Sequence, residues 1–333
     1  MPALTPSDDP SRQLRELVRS GRFREALEAH RAATDPSQRQ QPEAELLAAT
    51  AATRLGEFGT GVTLAESALE RFRIRADADG RMRARNLLGA IAFEQGRLEE
   101  AERAFRDAVT LAGELADSQM SAHASNNLAS IADLQGRAEL ALSLYRTALL
   151  GYQRLGDRRG TAQTYHNLAL TFRQLQEWRD AEDAALEAVR HAEQVDEASL
   201  LSLALTGRAE LHLIRGQRDL ARAELIRAKV IAREAQDEIG LVDIARVQAL
   251  LALESREAGE AARLAEEARA RAEEMRLAQL QAECAAVAAR AHRALGRQDA
   301  AETRRTEATS IFGRLGAIRL LAEFTQRWAQ PDN

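Results

Sequence analysis

Small residues recur at a fixed interval along the chain and define the pattern of its hydrophobic and polar positions. Glycine or alanine stands at 61, 101, 141, 181, 221, 261 and 301, and alanine again at 68, 108, 148, 188, 228, 268 and 308. Another series reads Ala49, Gly89, Ala129, Ala169, Ala209, Ala249 and Ala289. Self-similarity at one period is typical of repeat architectures, in which each unit buries its apolar face only against its neighbours. The spacing therefore predicts 40-residue repeats that continue to the end of the chain.

Each repeat also contains one turn position. It is occupied by Gly56, Gly96, Gly136, Gly216 and Gly296, with Gln176 and Arg256 in the two remaining repeats. Because glycine adopts positive φ easily, this position predicts the turn between a first helix of about 14 residues and a second helix. The small residues then lie where the two helices cross, and Phe105, Tyr145 and Leu225 fill the groove toward the next hairpin. No proline occurs between Glu43 and Gln330, so these helices are uninterrupted and a β-rich fold is excluded.

This pattern resembles the tetratricopeptide repeat family in a 40-residue form. The resemblance rests on the Leu-Gly or Leu-Ala pairs at 88–89, 128–129 and 168–169, on the turn glycines, and on the series Ala101, Phe105, Ala108 and Ala141, Tyr145, Ala148. It implies an all-α fold, a right-handed α-solenoid of about eight helical hairpins with a C-terminal capping helix. Departures are the missing proline after the second helix, and Ala265 and Arg305 in place of the aromatic residue.

The repeat register divides the chain into four predicted segments. We expect a disordered N-terminus over residues 1–9 and an N-terminal helical hairpin over 10–34, where Gly21 and Ala26 echo the repeat. A continuous solenoid of about seven repeats follows over 42–313, and an amphipathic capping helix over 314–330. Terminal units of this kind cover the last apolar face of a stack.

Composition and charge narrow the choice of partners. The chain has 46 basic and 51 acidic residues, a net charge of -5, and so no basic surplus to attract nucleic acid. The single cysteine, Cys284, cannot form an internal disulfide. The first ten residues are polar, and no apolar run reaches the ~18 residues of a membrane span. We predict a cytoplasmic protein that binds neither nucleic acid nor membrane.

The chain lacks the common catalytic and metal-binding motifs. It contains no phosphate-binding loop, no nucleophile elbow, no H-E-x-x-H and no C-x-x-C. His123 and His166 lie near corresponding faces of adjacent first helices, but no further ligand set accompanies them, which favours a groove lining over a metal pair. We therefore predict a non-enzymatic protein without a cofactor or metal.

The candidate binding residues follow from helix geometry. In stacked hairpins the first helices line the concave side, so residues opposite the small-residue seam face a partner. Asparagine is disfavoured inside helices, yet its amide suits the backbone of an extended peptide. The predicted peptide-binding groove comprises Arg83, Asn86, His123, Asn126, Asn127, Ser130, Asp133, Gln163, His166, Asn167 and Arg173, with Thr206 and Glu210 downstream. The alternative is that these asparagines cap or bridge neighbouring helices.

Three shorter segments narrow the resemblance to particular tetratricopeptide repeat proteins. The segments NNLA, HNLAL and LGDRRG (155–160) are similar to repeats of kinesin light chains and of spindle-orientation adaptors. That likeness implies that Asn127 and Asn167 contact a peptide backbone and that Arg158 meets an acidic side chain. The predicted groove contains no lysine, so the two-lysine carboxylate clamp of chaperone-binding relatives is not expected.

Two functions remain open from the sequence. The first is a scaffold or adaptor, in bacterial regulation or complex assembly, that holds a protein or peptide segment in its concave groove; the ends of such a stack also allow homo-oligomers. The second is a small-ligand sensor, because late segments such as 296–317 resemble the solenoid sensor domains of maltose-type bacterial activators. A sensor predicts a closed pocket of a few hundred Å³.

Overall fold

The computed structural model describes residues 10–19, 22–33, 35, 39–195 and 197–329. The predicted disorder of residues 1–9 and the echo at Gly21 lie outside these residues. Within them the chain is all-helical, and its seventeen helices are Pro10–Arg19 (α1), Phe23–Ala32 (α2), Pro42–Arg54 (α3), Phe58–Ile74 (α4), Ala78–Glu94 (α5), Leu98–Glu114 (α6), Ser118–Leu134 (α7), Ala138–Leu155 (α8), Arg158–Gln174 (α9), Trp178–Ala192 (α10), Ala198–Ile214 (α11), Arg218–Glu234 (α12), Glu238–Glu254 (α13), Ala258–Glu274 (α14), Ala278–Ala294 (α15), Gln298–Leu315 (α16) and Ile318–Ala329 (α17).

Successive helices pair as eight hairpins, from α1/α2 to α15/α16, followed by the single helix α17. This confirms the predicted all-α solenoid of eight hairpins. Most first helices span 17 residues, which is longer than the predicted 14. The extra turn follows the N-terminal caps, where Asp157 and Asp237 each accept a hydrogen bond from a backbone N–H at 2.9 Å.

The predicted turn position adopts the left-handed conformation throughout. Gly136 has φ of 75°, and the two residues that replace glycine, Gln176 and Arg256, have φ of 60° and 61°. Sequence reasoning missed a second left-handed series between hairpins, which includes Ala116 at 53° and Gly156 at 68°. Each turn therefore ends its helix with a residue at positive φ, which satisfies the last carbonyls.

The small-residue series mark the helix crossings, as predicted. Ala101, Ala141, Ala181, Ala221, Ala261 and Ala301 are all buried. At Gly89 an added Cβ would lie 2.7 Å from Cε1 of Phe105, so only hydrogen leaves room for the aromatic ring. Close approach of the helix axes therefore depends on these positions.

The chain divides into two compact units, residues 1–124 and 125–333. In unit 1, Leu14, Leu17 and Leu27 pack with alanines of α3. In unit 2 an apolar cluster joins residues of α9 to α15, among them the fully buried Leu205, Leu225 and Val247. None of the described helices is long and apolar enough to cross a membrane.

Candidate functional site

One face of the first helices in unit 2 carries most of the predicted groove. We call it the first-helix stripe, and its members recur at helical spacing on α7, α9, α11, α13 and α15. They are Asn126, Asn127, Ser130 and Asp133; Gln163, His166, Asn167 and Arg173; Thr206 and Glu210; Asp243 and Arg246; and Glu283. The structure thus places eight of the eleven predicted groove residues, and the two predicted downstream of them, on this helix face within unit 2.

The start of the stripe is cross-linked by hydrogen bonds between α7 and α9. Asn126 is buried, and its Oδ1 accepts a hydrogen bond from Thr164 Oγ1 at 3.1 Å and one from Asn167 Nδ2 at 3.5 Å. Two turns further on, Thr171 Oγ1 donates to Oδ1 of buried Asp133 at 2.9 Å. Asn126 and Asp133 therefore join neighbouring helices.

Other amides of the stripe remain accessible. Asn127, Gln163 and Asn167 are half-buried, and they lie on adjacent first helices. Ser130 Oγ is 3.0 Å from the hydroxyl of Tyr145 on α8, which ties the first helix of this hairpin to its second. The buried bonds hold the backbone of α7 and α9 while the half-buried amides keep part of their surface exposed.

The centre of the stripe is a chain of ion pairs that runs across four helices. Glu210 on α11 lies 3.1 Å from Arg173 on α9 and 3.0 Å from Arg246 on α13. Arg246 also contacts Asp243 at 2.8 Å and Glu283 on α15 at 3.5 Å. The side chains of Arg246 and Glu210 are only 10% and 12% exposed, so water screens these pairs poorly.

The carboxyl groups of Glu210 and Glu283 in this network have pKa values shifted in opposite directions. Burial alone would raise the pKa of Glu210, but Arg246 and Arg173 outweigh it and hold that pKa well below its usual range. For Glu283, burial prevails over the attraction of Arg246 and raises the pKa. Burial also lowers the pKa of His166 to about 4, so this imidazole is neutral at neutral pH.

The remaining predicted residues lie in unit 1. Arg83 contacts Glu43 at 3.0 Å and Asp79 at 2.9 Å, and it is half-buried. Asn86 and His123 are half-buried as well. These residues occupy the corresponding face of α5 and of the first turns of α7.

Sequence reasoning missed three members of the central network. Charged side chains on arginine-rich helices are typical of a solvated surface, so helix composition does not mark Asp243, Arg246 and Glu283 as members of a buried network. The repeat register offered a signal: Arg246 stands at the same repeat position as Asn126 and His166, and Asp243 and Glu283 at that of Gln163.

A small cavity lies beside His166. Residues of α9, α10 and α11 line it, and Gly207 allows the imidazole to approach, since a Cβ there would lie 2.6 Å from its Cε1. Its volume is about 10 Å³, room for about one water molecule. A metabolite pocket of a few hundred Å³ does not exist at this place in the stripe.

Potential nucleophiles and metal ligands are held in unreactive settings. Cys284 is buried, and burial raises the pKa of its thiol far above the usual range. Burial likewise raises the pKa of the Tyr145 phenol. Over the described ranges, no three His, Cys, Asp or Glu side chains group as a metal site.

Family models of the tetratricopeptide repeat match residues 83–114 and 120–194, which overlap the helices α5 to α10. These two stretches of the chain are tetratricopeptide repeats. Among curated protein sequences none matches it significantly.

Solved structures agree with the fold of this chain. The Rap conjugation gene regulator of plasmid pLS20 in complex with the Phr* peptide has a TM-score of 0.70 and 15% identity, over 86% of this chain and 79% of its own. A Rap protein complexed with Competence and Sporulation Factor has a TM-score of 0.64 and 13% identity, over 96% of this chain and 95% of its own. Aspartyl phosphate phosphatase F from Bacillus subtilis has a TM-score of 0.54 and 13% identity, over 100% of this chain and 97% of its own.

Proposed function

We propose that this tetratricopeptide repeat protein is a non-enzymatic adaptor, serving bacterial regulation or complex assembly, that binds a peptide segment of a partner along the first-helix stripe. The observation that carries the proposal is the set of half-buried amides Asn127, Gln163 and Asn167 on two adjacent helices. Amides present both donors and acceptors, which suits them to the backbone of an extended segment or to the polar side chains of a helical one.

Pre-organisation supports this assignment. Asn126, Thr164 and Asp133 are buried and hydrogen-bonded between α7 and α9, so they fix the two helices that carry the half-buried amides. Binding groups mounted on rigid helices lose little conformational entropy when a ligand binds. In unit 1, Arg83, Asn86 and His123 form a separate set of proposed contacts.

Three further observations favour an adaptor. The cavity beside His166 has space for about one water molecule, which disfavours a metabolite as the ligand of the stripe. The buried thiol of Cys284 and phenol of Tyr145 are both held protonated, which removes two candidate nucleophiles. Two of the structural relatives are complexes, one with the Phr* peptide and one with Competence and Sporulation Factor.

The test is selection from a random peptide library on the full chain, followed by titration of the selected peptides against variants. We expect Asn127→Ala/Asn167→Ala to weaken binding about 10- to 100-fold, because two hydrogen bonds contribute roughly 1 kcal/mol each. The matched control is Thr147→Ala/Arg179→Ala, which removes two exposed side chains from the second helices α8 and α10.

Thermal unfolding of both double variants checks that the fold is retained. The proposal fails if selection yields no binder, or if the selected peptides bind the asparagine variant and the unmutated chain equally well.

A further inference from the structure

The C-terminal helix α17 returns to the beginning of the first-helix stripe. Its Arg319 lies 3.0 Å from Asp133 on α7, and the two side chains are only 6% and 8% exposed. Arg319 also contacts Glu323 on its own helix at 2.9 Å. A buried ion pair thus joins the last described helix of unit 2 to the first.

The other end of α17 is anchored on α15 and α16. Nη1 of Arg293 donates a hydrogen bond to the carbonyl oxygen of Trp328 at 2.5 Å, and its guanidinium lies 4.4 Å from the centre of the Trp328 ring. Arg305 on α16 lies 5.9 Å from the same ring. Between these anchors, Arg327 is near enough to Glu210 of α11 to help lower the pKa of that carboxyl.

These contacts place α17 against the same surface that carries the proposed peptide contacts. Asp133 and Glu210 are members of the stripe, and Arg293 stands at the repeat position of Asp133 and Arg173. A helix of twelve residues is about 18 Å long, which suffices to cross several of the first helices.

The way α17 is held differs from the packing of the hairpins. Arg319 and Phe324 are its only buried residues, whereas α13 buries eight. Ile318, at its start, is 60% exposed. Few buried apolar side chains and several polar anchors describe an element that opens more easily than the hairpin core.

We propose that α17 is an intramolecular ligand of the first-helix stripe, and that the partner segment is an amphipathic helix of the same kind, which displaces it. Such a segment carries an arginine for Asp133 at one end and an aromatic side chain for Arg293 at the other. This inference rests on the proposed function, because it specifies the segment that the stripe accepts. With α17 in place, the apparent association constant for the partner equals the intrinsic constant multiplied by the fraction of chains in which the stripe is uncovered.

The probe for the test is a fluorescent synthetic peptide with the sequence of residues 317–329, AIRLLAEFTQRWA. It is titrated against the full chain and against the full-length variant Arg319→Gln/Trp328→Ala, in which α17 has lost an anchor at each end. We expect the peptide to bind the variant about tenfold or more tightly than the unmutated chain, because its competitor is weakened. Adding Asp133→Asn to the variant removes the gain.

Ile318→Ala is the matched control, because it alters an exposed residue of α17 and leaves both anchors in place. Circular dichroism verifies that each variant is folded, and Arg319→Gln alone serves if the double variant is not. The proposal is overturned if the peptide binds the unmutated chain and the variant with equal affinity, or if it binds neither. It is also overturned if the gain in affinity persists after Asp133→Asn is added.

The outcome is separable from the test of the proposed function. Suppose that library peptides depend on Asn127 and Asn167 but bind the unmutated chain and the Arg319→Gln/Trp328→Ala variant equally. This result supports the adaptor function and refutes displacement of α17. A failed library selection leaves the titration of the 317–329 peptide unaffected.

Discussion

Replacement of Arg246 by methionine tests whether the central ion network is as dry as its burial indicates. Methionine keeps the aliphatic stem of arginine but leaves Glu210, Asp243 and Glu283 without the cation that lies 3.0, 2.8 and 3.5 Å from them. Removing one partner from a buried ion pair costs about 3–5 kcal/mol, because the remaining charges stay buried and uncompensated. We expect a loss of stability in this range at about pH 8.

The pH dependence of the loss follows from the direction of the Glu283 pKa. Burial already raises this pKa in the unmutated chain, and without Arg246 it rises further. A carboxyl whose pKa is higher in the folded state destabilises that state at high pH, and the penalty disappears as pH falls through the folded-state pKa. The deficit of Arg246→Met should therefore be smaller at about pH 5 than at about pH 8.

The assay is urea unfolding of the full chain, followed by circular dichroism at the two pH values. Arg222→Met is the matched control, because Arg222 and Asp219 form a surface pair with side chains 52% and 99% exposed. Such pairs contribute about 0–1 kcal/mol. A deficit below about 1 kcal/mol for Arg246→Met, or one equal at both pH values, would show that water screens the network and refute the reasoning.

Three further predictions concern turns, crossings and protonation. Gln176→Gly should stabilise the chain by roughly 0.5–1 kcal/mol in urea unfolding, because glycine relieves the left-handed strain at φ of 60°. An unchanged unfolding midpoint contradicts this. Gly89→Ala should destabilise the chain by about 1–3 kcal/mol, since the new Cβ would lie 2.7 Å from the Phe105 ring. Its control, Gly113→Ala, should stabilise by about 0.5–1 kcal/mol, because a Cβ at Gly113 has no heavy atom within 4 Å. Because the folded-state pKa of His166 is about 4, below its ordinary 6.5, the folded state resists its protonation and loses at most about 3 kcal/mol as pH falls from 6.5 toward 4. In His166→Gln that part of the acid-induced loss should be absent, and a pH profile identical to that of the unmutated chain contradicts the assignment.

The repeat itself could be read from the sequence because its determinants are local. A turn residue at Gly136, a small residue at Ala141 and a large one at Tyr145 act within one hairpin or between neighbours. Even the departures were informative, since Gln176 and Arg256 take the same left-handed conformation as the glycines they replace. Helical spacing likewise placed Asn127, His166, Asn167 and Glu210 on one face.

Burial within that face was decided only by the tertiary structure. Asn126 and Asn127 are adjacent in sequence and chemically identical, yet the first is buried in a bridge to Thr164 and the second is half-buried. A helix turns by about 100° per residue, so one step decides whether a side chain points at the next helix or along the groove. Periodicity alone does not give the rotation of each helix to that accuracy.

The contact between Arg319 and Asp133 is the feature that sequence patterns predict least. Repeats contact only their neighbours, but the small rotation between successive repeats accumulates along unit 2 and brings α17 back to α7. No single repeat encodes that sum. Local side-chain patterns determined the hairpins of this protein, whereas the accumulated geometry of many hairpins decided which distant charges meet and what occupies the first-helix stripe.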